Sequence, residues 1–209
     1  VVKLLGRELV IVGKPGVWSW DAVNPGTAAL LEIPRFRPTS SVLDLGCGTG
    51  VMGALAGLMA PEGRVTLVDC NAVAAACARR TLEANQVANA EVRLADGVEG
   101  LELASFDLVL SHLPRGREVQ RGLIRGAARV LRPEGHFVFV ASKQVGVKGA
   151  ITYARELFGR CGVVRRKKGY HVAMTLRPEG IDLPPTRETY VSRSITLDGV
   201  RTTLVSTPG

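Results

Sequence analysis

The sequence predicts a doubly wound α/β fold, a mostly parallel sheet with helices on both faces, and three observations carry that prediction. Short apolar runs alternate with helical patterns through the middle of the 209 residues. Turn signals separate the runs, which read as continuously apolar, as strands buried on both faces do. One glycine turn, Asp44-Leu45-Gly46-Cys47-Gly48-Thr49-Gly50, follows the run Ser41-Val42-Leu43 and opens into the small-residue run Val51–Ala56. An apolar content of 46% is ample for a full core.

Taken in order, Glu8–Val12 reads as a strand ended by Gly13-Lys14-Pro15-Gly16. Trp18 and Trp20 follow beside a helix entrance, where they either form a lid over a pocket or plug one end of the core. Asn24 has the character of an N-cap with Pro25 at the first helical position, and the helix runs through Glu32 to the break at Pro34. The alternation then gives a strand at Val42–Leu45, a helix at Val51–Met59, a strand at Arg64–Val68 and an alanine-rich helix at Ala72–Ala84. Strands at Ala90–Leu94 and Phe106–Leu110 follow, then a helix at Glu118–Leu131 closed by Arg132-Pro133-Glu134-Gly135. The last elements are a strand at His136–Ala141, a helix at Val147–Phe158, and strands Val163–Arg165 and Tyr170–Leu176. The final two flank the basic turn Arg166-Lys167-Lys168-Gly169 and predict an antiparallel closing hairpin, which with the five strands from Val42 to Ala141 makes a seven-stranded sheet.

Composition shifts after residue 176. Pro178, Pro184 and Pro185 mark 177–189 as a linker between the domain 1–176 and residues 190–209. That last stretch is rich in threonine and valine and echoes the start of the chain. With Pro15-Gly16 placed on Pro208-Gly209, Gly6 falls on Gly199, Val12 on Val205, and Leu4 and Ile11 on Leu197 and Leu204. The expectation is a second, truncated unit beginning at about residue 190, and a chain that is a fragment of a two-unit protein.

Net charge is +8 with a pI near 9.8. Much of the excess lies from Arg115 onward, and clustered base points either to a polyanion, RNA being the natural candidate, or to a solvated face. The residues expected at an RNA surface are Arg115, Arg117, Lys143, Lys148, Arg166, Lys167 and Lys168. Arg117, Arg121, Arg125 and Arg129 also recur every four residues along one helical stripe. The four cysteines show no C-x-x-C spacing, which favours reduced thiols in a cytoplasmic setting over disulfides or a zinc site. No apolar run approaches the roughly 18 residues of a membrane span.

The glycine turn lets the backbone approach a nucleotide-like ligand while the following helix directs its free N–H groups at it. Gly48-Thr49-Gly50-Val51-Met52-Gly53 formally matches the dinucleotide fingerprint, with Asp69 placed for a ribose. Asp44, two residues before Gly46, argues for a different ligand. A dinucleotide turn needs room for a pyrophosphate, whereas a carboxylate suits an ammonium or sulfonium group, as in S-adenosylmethionine. On these residues the chain resembles a class I S-adenosylmethionine-dependent methyltransferase. The resemblance implies that Gly46, Gly48 and Gly50 lie under the methionine and ribose, and that Asp44 organises the turn and the amino group. Asp69 would accept both ribose hydroxyls and Asp96 the adenine amine, with Gly97 allowing close backbone approach. Cys47, Cys70 and Ser111 complete the residues expected around the cofactor.

A narrower resemblance rests on Pro15-Gly16-Val17-Trp18-Ser19, Pro25-Gly26-Thr27, Asp44–Gly50, Phe106-Asp107 and Arg132-Pro133-Glu134-Gly135. These are similar to the small-domain methyltransferase family, and within it to the small-subunit rRNA guanine-N2 methyltransferase C group, whose members carry two such units in tandem. The resemblance implies methyl transfer to rRNA by a two-unit enzyme, with this chain as the first unit. One departure stands out. The family's active unit has Asn-Pro-Pro and an aromatic residue after strand four, where this chain has Ser111-His112-Leu113-Pro114-Arg115. The family motif supplies acceptors that hold the target amine in a nucleophilic geometry, and a ring to stack on the base. Only Pro114 persists, and His112 is the candidate to accept an amine hydrogen when neutral. The alternative is a catalytically inactive module that binds cofactor or RNA and supports a second unit.

Overall fold

The computed structural model describes residues 1–181 and two further strands, Val191–Leu197 and Val200–Ser206. A small hairpin, β1 (Val2–Leu4) and β2 (Arg7–Leu9), precedes helix α1 (Pro25–Leu31). The core alternation follows as β3 (Ser41–Leu45), α2 (Val51–Met59), β4 (Arg64–Asp69), α3 (Ala72–Ala84), β5 (Ala90–Leu94) and β6 (Phe106–His112). It continues as α4 (Arg117–Val130), β7 (Leu131–Ser142), α5 (Val147–Phe158), β8 (Gly162–Lys167) and β9 (Tyr170–Leu176). These form a seven-stranded sheet of order β5-β4-β3-β6-β7-β9-β8. Its first five strands are parallel, and β9 runs antiparallel to both β7 and β8.

Side chains alternate across the strands, and the alternation sorts the core into two layers. Val42, Val65, Leu67, Leu108, Leu110, Val138 and Val140 pack with α1, α2 and α3 on one face. Leu43, Leu45, Val68, Val109, Phe137, Phe139 and Ala141 pack with α4 and α5 on the other. Each fully buried aliphatic or aromatic side chain of these layers contributes about 1.5–3 kcal/mol. Helix α2 sits close on the sheet because Gly53 has no side chain: a Cβ there would lie 2.4 Å from Leu67. The chain enters the sheet at β3, winds outward to β5, and returns to β6 on the other side of β3. That reversal opens a crevice at the carboxyl ends of β3 and β6, where folds of this kind bind ligands.

The expected fold is the observed one, and its departures are local. The first strand stops at Leu9. Val10–Val12 is instead held by helix α3, with Val10 N donating to Asn85 Oδ1 (2.9 Å) and Val12 N to Thr81 Oγ1 (3.0 Å). Strand β7 begins at Leu131, five residues before the expected start. Leu131 pairs with Phe106 and the register resumes at His136↔Leu108, so Arg132-Pro133-Glu134-Gly135 is an irregularity inside the strand rather than a break before it. Proline is compatible with a strand at such a place because the ladder is already interrupted. Arg177 exchanges backbone hydrogen bonds with Glu134 and Gly135 (2.8 and 2.9 Å), extending the edge of the domain by one residue. The rest of the expected linker beyond residue 181, up to 189, lies outside the described residues. The last two strands, β10 (Val191–Leu197) and β11 (Val200–Ser206), pair as an antiparallel hairpin.

Candidate functional site

The turn after β3 is built by left-handed backbone at three glycines, Gly46 (φ 79°), Gly48 (φ 55°) and Gly50 (φ 79°). At Gly46 and Gly48 an added Cβ would meet nothing within 4 Å, so the concave side of the turn is open. Gly50 has a different role, for a Cβ there would press on Ala78 of α3 at 2.9 Å. The turn is anchored from behind by the amides of Gly46 and Cys47, which both donate to Val68 O at 2.9 Å. Asp44, fully buried at the base, accepts from Gly53 N (2.8 Å) through Oδ2, while Oδ1 has no partner among the described residues. Burial raises the Asp44 carboxyl to about 7, the Gly53 amide opposes the rise, and the charge of Asp69 adds to it. A buried carboxylate oxygen with no donor is expensive, and a cationic ligand satisfies it.

Asp69, at the end of β4, reaches the same turn. Its Oδ2 accepts from Gly48 N (2.8 Å) and its Oδ1 from Asn71 N (2.9 Å), the latter at the cap of α3. Each oxygen keeps a second lone pair for an incoming hydroxyl. Cys70 is exposed beside it, its thiol raised by partial desolvation and by the charges of Asp69 and Asp96, and Ala95 N donates to Asp69 O (3.2 Å), which brings Asp96 to the same rim. Asp96 is exposed and Gly97 has φ 58°. Cys47 is buried behind the turn, its thiol held well above its usual value by burial and by Asp44 and Asp69. Ser111 is fully buried and donates its hydroxyl to Leu45 O (2.8 Å), bracing the ends of β6 and β3 against each other.

The opposite wall comes from elements far apart in the chain. His112, the last residue of β6, lies with Nδ1 2.9 Å from Thr27 Oγ1 of α1. Its ring is edge-on to Trp18 (centroids 4.4 Å apart) and to Tyr170 (5.6 Å). Burial lowers its pKa to about 4, so the imidazole is neutral at neutral pH. Asn24 caps α1 by accepting from Gly26 N (2.7 Å) and donates its amide to Tyr170 OH (2.9 Å). A cavity of about 60 Å³ joins both walls, lined by Gly46, Cys47, Gly48 and Thr49 on one side and by Trp18, Asn24, Thr27 and His112 on the other. Of the two readings of the tryptophans, the plug is excluded, since Trp18 is 58% and Trp20 42% exposed. Pro114 is exposed and its carbonyl accepts from Gln120 Nε2 (2.6 Å), while the buried Leu113 ties its amide to Val140 O (2.9 Å).

The basic residues divide into groups. Arg166 pairs across the hairpin with His171 and Lys143 N donates to Gly169 O (3.1 Å), and the His171 pKa is lowered by burial and then by the charges of Arg166, Lys143 and Lys148. Lys167 is paired with Glu32 (3.3 Å), as is Arg165, while Lys168, Arg115 and Arg117 are exposed. Two residues of the arginine stripe join α4 to α5: Arg121 lies 5.1 Å over the Tyr153 ring, and Arg125 donates to Tyr153 OH (3.2 Å). All four cysteines are free thiols.

The sequence profile of the methyltransferase small domain matches residues 8–174. The chain belongs to the methyltransferase small-domain family. It is 34% identical over 168 residues to the ribosomal RNA large subunit methyltransferase G of Streptomyces avermitilis, covering 77% of this chain and 43% of that protein. It is also 34% identical to the ribosomal RNA small subunit methyltransferase C of Pseudomonas paraeruginosa, covering 84% of this chain and 53% of the relative. Among solved structures it is similar to the 16S rRNA N2 methyltransferase RsmC of T. thermophilus, determined with AdoMet and guanosine. That likeness has a TM-score of 0.76 at 28% identity, and covers 95% of this chain and 50% of RsmC. The methyltransferase of Pyrococcus furiosus, at 20% identity and a TM-score of 0.67, shares the fold. The class I methyltransferase fold is therefore the fold of this small-domain member, and the chain spans about half the length of the curated relatives it matches.

Several residues of the site were not read from the sequence as belonging to it. Thr27 and Asn24 were legible as parts of a helix start, and Tyr170 as the first residue of a strand. Only the fold brings them to His112.

Proposed function

We propose that this chain binds S-adenosylmethionine in the glycine turn and directs methyl transfer to an exocyclic amine of rRNA, as one unit of a longer cytoplasmic two-unit enzyme. The observation that carries the reading is the cavity with the open glycine turn on one wall and His112 on the other. The residues fit the cofactor. Asp44 offers an unpartnered buried oxygen to the ammonium group, Asp69 keeps two lone pairs for the ribose hydroxyls, and the rim at Cys70, Asp96 and Gly97 suits the adenine. S-Adenosylmethionine, when bound, supplies an electrophilic methyl group on a sulfonium.

The chain's own residues position the acceptor. With Nδ1–H donated to Thr27 Oγ1, His112 Nε2 keeps a lone pair that accepts one hydrogen of the incoming amine and sharpens its nucleophilicity. Pro114, with its carbonyl held by Gln120, fixes the backbone that follows. The cofactor would supply the methyl group to the amine that His112 holds, and the methylated amine would release its extra proton to solvent. Lys143, Lys148 and Arg166 hold the RNA backbone, with Arg115, Arg117, Lys167 and Lys168 around them. The homologous rRNA enzymes and the likeness to RsmC support rRNA as the substrate.

The two-unit organisation draws support from the terminal hairpins. When Gly6 is placed on Gly199, the pairs Val2↔Leu9, Lys3↔Glu8 and Leu4↔Arg7 of β1–β2 fall on Ile195↔Thr202, Thr196↔Arg201 and Leu197↔Val200 of β10–β11. The same register recurs at the corresponding positions, as expected if residues from about 190 begin a second copy.

Calorimetric titration with S-adenosylmethionine, followed by transfer of labelled methyl to small-subunit rRNA, tests the proposal. Binding together with transfer that falls at least tenfold in His112→Ala is expected. No binding at micromolar concentrations overturns the cofactor assignment. Binding without transfer overturns catalysis by this unit and leaves the supporting-module alternative.

A further inference from the structure

We infer that Trp18 is the platform on which the target base stacks, taking the place of the aromatic residue that the chain lacks after Pro114. The inference rests on the methyl-transfer reading and assigns its acceptor side to a different part of the chain. Arg115 stands where a ring is needed, and it is exposed with no aromatic neighbour on that segment. Trp18 meets the requirements from the other side of the cavity. It is 58% exposed, so one face is available to a ligand. It is held in place by its edge contact with His112 at 4.4 Å and it lines the same cavity as the glycine turn.

The placement of Trp18 beside His112 sets where the base goes. A nucleobase with its ring against the indole presents its exocyclic amine toward His112. The segment is rigid enough for the task. Val17 is buried with Ala74 and Cys77 of α3, and Ser19 donates its hydroxyl to Ala22 O (2.7 Å), so the indole is fixed on both sides in sequence. Stacking of this kind tolerates any base and contributes through ring overlap, so it orients the acceptor without naming the nucleotide.

The chain has two tryptophans, so Trp20→Phe leaves Trp18 as the only one. Titration of that variant with guanosine, read by tryptophan emission, should give a saturable quench. Guanosine affinity measured by calorimetry should fall about tenfold or more in Trp18→Ala and stay within about threefold in Trp18→Phe. The thermal midpoint should change little in both, because the indole is exposed, and S-adenosylmethionine binding measured in parallel separates loss of the platform from loss of the cofactor site. Cofactor binding with no quench, or a Trp18→Ala variant that binds guanosine as tightly as the parent, overturns the platform. A quench that survives where no cofactor binds upholds the platform and overturns the methyl-transfer reading instead.

Discussion

The Gly48 amide donates to Asp69 Oδ2 across 2.8 Å, so the glycine turn after β3 and the end of β4 are one hydrogen-bonded unit. Asp69 thus shapes the turn as well as facing a ligand. Asp69→Ala leaves two backbone amides without acceptors, a loss of about 1–3 kcal/mol of stability for each one shut away from water. Calorimetry should show S-adenosylmethionine affinity reduced more than tenfold. Asp69→Asn, which keeps one acceptor oxygen, should recover part of the stability and little of the affinity.

The glycines of the turn should separate by mechanism. Gly50→Ala combines a left-handed backbone with a Cβ 2.9 Å from Ala78, so it should lower the thermal midpoint more than Gly46→Ala, whose Cβ meets open space. Gly46→Ala carries only the backbone strain of about 1–2 kcal/mol, and its main effect should be on ligand affinity. A Gly46→Ala chain with lower stability than Gly50→Ala contradicts this assignment.

Asp44 should make stability depend on pH. Its folded pKa of about 7 lies above the ordinary 3.8, so between those values the unfolded chain has released a proton that the folded chain retains. Stability contributed by the protonated form is full below about pH 4, falls as pH rises, and is lost above about pH 7. The limiting slope is about 1.4 kcal/mol per pH unit. Urea unfolding across this range should show the decline in the parent and a flatter profile in Asp44→Asn. S-Adenosylmethionine binding should release protons near neutral pH, which calorimetry in buffers of different ionisation enthalpy measures.

The cluster around His171 should govern salt dependence. Replacing Lys143, Lys148 and Arg166 with glutamine leaves up to three phosphates of a bound strand without a cation. The slope of log affinity against log salt for a single-stranded rRNA fragment should shrink by about 0.7 for each phosphate no longer neutralised. The same substitutions at Arg121 and Arg125 should instead lower stability, because those side chains hold Tyr153.

Much of the fold was legible because several elements carry their own punctuation. Helices α2, α3 and α5 and strands β5 and β9 fall on the bounds that the alternation of apolar runs and helical patterns suggests. Strand β1 has three residues, too few for a period. The start of β7 was hidden because Arg-Pro-Glu-Gly has the composition of a stop, and only pairing with Phe106 makes it strand. At the site, the glycines, Asp44 and Asp69 were readable because their spacing is local to one βαβ unit. The wall around His112 was not, since the His112–Thr27 contact spans 85 positions and the motifs that hold Trp18 and Thr27 do not say which residues they face. Nor did spacing disclose that the oxygens of Asp69 already hold backbone amides.

The hydrogen bond from Asn24 to Tyr170 joins residues 146 positions apart, and Gly26 lies so close under the Tyr170 ring that a Cβ would be 2.5 Å from it. This sets an order of assembly on a chain made from its N-terminus. All the residues of the glycine turn and its Asp69 brace have been made by the end of β4, whereas the aromatic wall lacks Tyr170 until β9 has been made and paired with β7. The two walls of the cavity are thus made more than 100 residues apart, and the second of them cannot close before the last strand of the sheet exists.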